Sequence, residues 1–179
     1  LRQPEQQPDE PDPLRALLKA GVKPSSGGGS TDTLAEGIRV SRWAGPEPVQ
    51  LLLDAGADTN QRLGSQPAWF AALSPRTHAA VLPLLLARGA DLNAVDMAGS
   101  NAVYWAVFHQ NWAAGALLVE RGARWRDVNM ADGQSVRHRV EAQLRSSPDN
   151  PALRQMLRTM GASAAPTGVA SSVAPMGRP

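Results

Sequence analysis

Three ten-residue segments of this chain line up without a gap: LLLDAGADTN from Leu51, LLLARGADLN from Leu84 and LLVERGARWR from Leu117. Their glycines, Gly56, Gly89 and Gly122, stand 33 residues apart. No other feature limits the fold so strongly. A unit of that length is too small to enclose a core of its own, so copies in series must bury their apolar faces against one another, as in a solenoid. Weaker copies flank the three: LRALLKAGVK, which reaches its glycine at Gly21, and LRQMLRTMGAS, with Gly161, at spacings of 35 and 39.

Within each copy, the leucine run with a charged residue before the glycine is the last part of an amphipathic helix. The glycine supplies the left-handed turn by which the chain leaves it. A second glycine and a small polar residue come before the next apolar stretch: Gly64-Ser-Gln-Pro67, Gly99-Ser-Asn-Ala102 and Gly133-Gln-Ser-Val136. Such a polar residue satisfies the free N–H groups of a first helical turn, and Pro67 suits a first helical position, where no donor is needed. Each repeat therefore reads as two short antiparallel helices followed by an extended turn.

These residues resemble the ankyrin repeat family. The GADTN and GADLN turns match its pattern, as do the run from Asp96 to Gly99, Pro67, and the alanines Ala71 and Ala106. The resemblance implies an all-α fold, an ankyrin-repeat solenoid of about four to five helix-turn-helix repeats over residues 14–162. Residues 1–13, rich in Pro, Gln and acid, are expected to be a flexible N-terminal tether, and 163–179, small residues and proline, a disordered C-terminal tail. Several departures stand out. Ala68 and Val103 replace the family's leucine, Trp69 and Tyr104 replace its histidine, and SPRT at 74–77 inserts about two residues. Pro83 should kink the second helix of its repeat or delay its start. The run PSSGGGSTD at 24–32 blurs the register of the preceding repeat, whose inner helix is placed near Asp32–Trp43 and outer helix from Pro46.

The chain has only 5 Trp, 1 Tyr and 2 Phe, yet Trp69-Phe70 and Tyr104-Trp105 stand as pairs, each followed at once by alanine. In an ankyrin stack the inner helix turns one face to the core and another to a concave groove. On that geometry Phe70 and Trp105 stand on the concave face, Phe108 follows one turn beyond Trp105, and Trp69 and Tyr104 are half-buried between loops. Arg62, Arg124, Arg137 and Arg139 fall in neighbouring turns or the next inner helix. Aromatic anchors with an arginine rim are the composition of a protein-binding surface. The partner-binding residues expected are Trp69, Phe70, Tyr104, Trp105, Phe108, Arg62, Arg137 and Arg139. Packing of these rings into the core is the competing reading.

Nothing points to catalysis. His78, His109 and His138 occupy different places in their repeats, so no metal site is expected. The run Gly27-Gly28-Gly29 lacks the lysine and preceding strand of a phosphate loop, and Asp58, Asp91 and Asp96 read as turn caps. No catalytic residue, cofactor or small-molecule substrate is anticipated. The net charge of +2 gives no basic block for nucleic acid, and the absence of cysteine removes disulfides and thiolate chemistry. No run is apolar for long enough to span a bilayer.

The sequence opens at Leu1 rather than a methionine, from which we expect upstream residues, either a signal or lipid-modified terminus or a boundary chosen for expression. With the tether and the arginine-rich, lysine-poor composition, the chain resembles exported bacterial ankyrin proteins. That resemblance implies a periplasmic or exported location, with the cytoplasm left open, and membrane contact only through an N-terminal anchor. It implies a non-enzymatic module of the immunity type, binding and neutralising a secreted toxin such as a lipase effector through its groove. The alternative is a scaffold that stabilises a companion periplasmic enzyme.

Overall fold

The computed structural model describes residues 33–162 together with Leu14, Arg15 and Pro24. The expected tether, the tail, the glycine run and most of the first weak copy lie outside the described residues. What is described is mostly helical. The elements are α1 (Thr33–Ala44), α2 (Glu47–Asp54), β1 (Arg62–Leu63), β2 (Gln66–Pro67), a 3₁₀ helix (Ala68–Leu73), α3 (Val81–Ala87), α4 (Ala102–Phe108), α5 (Trp112–Glu120), α6 (Val136–Ser146) and α7 (Pro151–Ala162). α1 and α2 thus form where the sequence placed them, despite the ambiguous run upstream.

Helices pack in consecutive pairs, α1 on α2, the 3₁₀ helix on α3, α4 on α5 and α6 on α7. The first members of the pairs also pack in series, α1 on the 3₁₀ helix, that helix on α4, and α4 on α6, while α5 lies against α7. Antiparallel two-residue contacts stand between the pairs at equivalent points: Arg62 to Pro67, Val95 to Asn101, and Asn129 to Ser135. We call these three projections fingers.

The recurring glycines have near-identical backbones, with φ of 89° at Gly56, 86° at Gly89 and 91° at Gly122. Each closes a helix the same way. The residue after it donates to a carbonyl five positions back, Ala57 to Leu52 at 2.9 Å, Ala90 to Leu85 at 3.1 Å and Ala123 to Leu118 at 2.9 Å. A side chain at that φ is strained, which is why glycine recurs there. Of the three polar caps expected, two are present and the 3₁₀ helix has none. Asn101 accepts from the Tyr104 N–H at 3.0 Å and Ser135 from that of His138 at 3.2 Å.

One continuous core runs through all the pairs, from Leu34 and Ile38 through Val49, Trp69, Leu85, Val103 and Leu118 to Val140, Leu153 and Met156. No pair could seal itself. Gly115 sets the approach of α5 to α7, since a Cβ there would come within 2.7 Å of Met156 Cε.

Two expectations change in the 3₁₀ region. Pro67 is not the first helical residue. It lies just outside, extended at φ −58° and ψ 134°, where its β2 position pairs with Arg62. The segment after it winds as a 3₁₀ helix rather than an α-helix and ends in extended Ser74. Pro83 delays its helix as expected: Val81 stands eight residues before Gly89, whereas Trp112 stands ten before Gly122. As the third residue of α3, the proline falls in the first turn, where no intrahelical donor is lost.

Among the described residues no helix is long and apolar enough to cross a membrane.

Candidate functional site

The aromatic site grows from the second finger. Asp96 turns this finger by accepting from the N–H groups of Ala98 at 2.9 Å and Ser100 at 2.8 Å through one carboxylate oxygen. Asn101 then caps α4 and donates its amide to the Arg124 carbonyl at 2.7 Å, fixing the helix start against the next repeat. The other oxygen of Asp96 receives the Trp105 indole N–H at 2.9 Å. Asp96 is buried, so this bond satisfies a carboxylate oxygen that has little water. One side chain therefore shapes the turn and aims the indole.

From Trp105 a ring cluster extends along α4. Tyr104 and Phe108, one turn apart, stack at 6.2 Å with planes 10° from parallel. Trp105 meets Phe108 edge to face at 5.3 Å and stacks with His109 at 5.6 Å. Such contacts follow from helical spacing of three and four. Tyr104 and Trp105 are half-buried, and Phe108 is 56% exposed. Beside them the second finger shows Val95 and Met97 to solvent, the latter 80% exposed.

Two open clefts meet at Tyr104. One, of about 350 Å³, runs between the second and third fingers and is lined by Val95, Ser100, Arg124 and Asp127. The other, of about 310 Å³, lies between α4 and α6, with Phe108, Trp112, Met130, Asp132 and Arg139 on its walls. Arg139 pairs with Asp132 and leaves its Nε without an acceptor. The structure thus brings Tyr104, Trp105, Phe108 and Arg139 together.

The other expected residues stand apart. Phe70 is 4% exposed and Trp69 fully buried, which corrects the placement of Phe70 on an open face and of Trp69 half out. The reason is local. The 3₁₀ helix is covered by α1, α3 and α4, and the inserted loop folds back on it, Thr77 donating to the Ala71 carbonyl at 3.1 Å. The two rings meet edge to face at 4.8 Å inside that enclosure.

Arg62 is exposed, but its guanidinium is spent on two carbonyls, Val95 at 3.0 Å and Ser65 at 2.8 Å. Arg137 pairs with Glu141 on its own helix at 2.7 Å. Of the arginines foreseen as a rim, only Arg124 and Arg139 line the clefts, and each also holds a carboxylate, Asp127 and Asp132.

Sequence reasoning missed Met97, Val95, His109 as a ring partner, and Trp43, which is 66% exposed at the end of α1. A signal existed for Met97: a residue inside a D-x-x-G turn faces water.

Asp58 and Asp91 accept from the N–H two residues on, both at 2.8 Å, as turn caps do. Among the described residues no three His, Asp or Glu side chains gather where a metal ion could sit. No protein-family model matches this sequence, and no curated protein matches it.

Proposed function

We propose that this chain is a non-enzymatic protein-binding module built as an ankyrin-type solenoid. One observation carries the reading. The Tyr104–Trp105–Phe108–His109 cluster leaves ring surface in water on a rigid helix, beside exposed Met97 and between two clefts. Large rings held in fixed positions cost little conformational entropy on binding and dominate interface energetics. The ankyrin reading draws support from the 33-residue recurrence and from the repeated helix closures at Gly56, Gly89 and Gly122. Within this class we favour an inhibitor that neutralises a secreted toxin, an inference from family resemblance.

The test is capture from the native host followed by assay of the captured protein. Phe108→Ala should weaken binding by about 2 kcal/mol without unfolding the chain. Loss of the partner's activity on binding marks an inhibitor, and retained activity marks a scaffold. Equal affinity of Phe108→Ala and Trp105→Ala variants with the parent chain would remove the α4 cluster from the interface. Turnover by the isolated chain would overturn the non-enzymatic reading.

A further inference from the structure

The connections from the first to the second helix of each pair form a separate edge. It runs from the end of α1 through the inserted loop 74–80 and the turn after α4 to the end of α6. Their order along this edge follows from the packing of α1, the 3₁₀ helix, α4 and α6 in series. Asn111 ties two of the connections by donating to the Leu73 carbonyl at 3.1 Å. Trp43 and Phe108 hold identical places on it. Each stands two residues before the left-handed residue of its turn, Gly45 at φ 71° and Gln110 at φ 57°. Their helices stand two pairs apart, which at 8–10 Å between packed helices is about 16–20 Å.

The charges on this edge that lack an ion-pair partner are arginines. Arg42 lies over the Trp43 ring at 4.0 Å, His109 flanks Phe108 at 5.4 Å, and Arg76 and Arg145 are exposed with no acidic partner among the described residues. The two carboxylates present, Glu47 and Asp149, are already paired with Arg15 and Arg154. A chain of net charge +2 thus concentrates unpaired cations where it also exposes two aromatic rings.

We propose that this edge docks an acidic polypeptide segment of another protein, with one apolar side chain seated on Trp43 and a second on Phe108. This rests on the protein-binding reading above and extends it to a further surface, which shares Phe108 with the first and is told apart from it by Trp43. In an extended segment, the separation of the two helices corresponds to five or six residues, at about 3.3 Å each. Carboxylates between the anchors meet Arg42 and Arg76, which steers the encounter and fixes register. Rings on helices this far apart cannot stack successive bases of a single strand, so a nucleic acid fits the edge poorly.

The test selects displayed random peptides about 12 residues long, enough to cover the distance when extended, on the full chain. Acidic peptides with two separated apolar positions should emerge. Trp43→Ala and Phe108→Ala should each weaken a selected peptide by about tenfold or more. Arg76→Glu should weaken it further as salt is lowered, whereas Met97→Ala should leave it unchanged. Unaltered circular dichroism and Tm would show that these exposed substitutions leave the fold intact.

Basic peptides, or binding indifferent to Trp43, would overturn the proposal. So would an oligothymidylate strand or phosphatidylserine vesicles binding through Trp43 and Phe108 while no peptide does. Peptides that depend on Trp105 and Met97 but not on Trp43 would sink the edge and leave the module reading standing. A chain that selects no peptide and captures no protein would sink both.

Discussion

The segments Pro67–Leu73 and Ala102–Phe108 are counterparts 35 residues apart, both apolar and both carrying an aromatic pair, yet one is sealed and the other open. Trp69 answers to Tyr104, Phe70 to Trp105, and Leu73 to Phe108. What separates them is how each segment ends. α4 closes on Gln110, with Asn111 donating to the Ala106 carbonyl at 2.8 Å, so the chain turns at once into α5. The 3₁₀ helix has no such closure and runs into an inserted loop that lies back over it. The lesson is that ring exposure here depends on the connection after the helix, not on the rings.

Breaking the comparison at its strongest point means removing Trp69. Its indole is fully buried and its Nε1 has no partner, so its whole contribution is packing. Trp69→Ala should cost about 3–5 kcal/mol in urea unfolding, whereas Tyr104→Ala, cutting a half-buried ring, should cost clearly less. Next come Leu73 and Phe108. Leu73→Ala should cost about 2–5 kcal/mol, and Phe108→Ala should stay within about 0.5 kcal/mol. Equal costs at these two positions would refute the sealed and open assignment.

Trp105→Phe keeps a ring but withdraws the donor from Asp96, leaving a buried carboxylate oxygen unmet. A loss of about 1–3 kcal/mol is expected. Phe70→Leu, with no polar bond at stake, should cost less than about 1.5 kcal/mol. One effect is a gain. Gln110→Gly relieves a side chain held at φ 57° and should raise stability by up to about 1 kcal/mol.

Much of the fold was legible because its signals are local. The period of Gly56, Gly89 and Gly122 fixes where helices stop, and Asn101 and Ser135 show where two of them start. The delay at Pro83 needed only its missing N–H. The site was half legible. Tyr104, Trp105 and Phe108 fall together because helical spacing alone brings them together. Phe70 was misplaced because an α-helical phase was assumed where the chain winds more tightly, and a two-residue insertion does not announce the loop that covers it. Arg62 could not be read at all, since its carbonyl partner Val95 lies 33 residues away in the next finger.

That last contact has a wider meaning. The Ser65 carbonyl accepts from Arg62 at 2.8 Å and also from the Met97 N–H at 2.8 Å, while Arg62 reaches on to Val95. Two neighbouring projections are thereby yoked, and neither can sway without dragging the other. A visitor landing on Met97 would meet a surface already stiffened by the repeat before it, with little disorder left to surrender on contact.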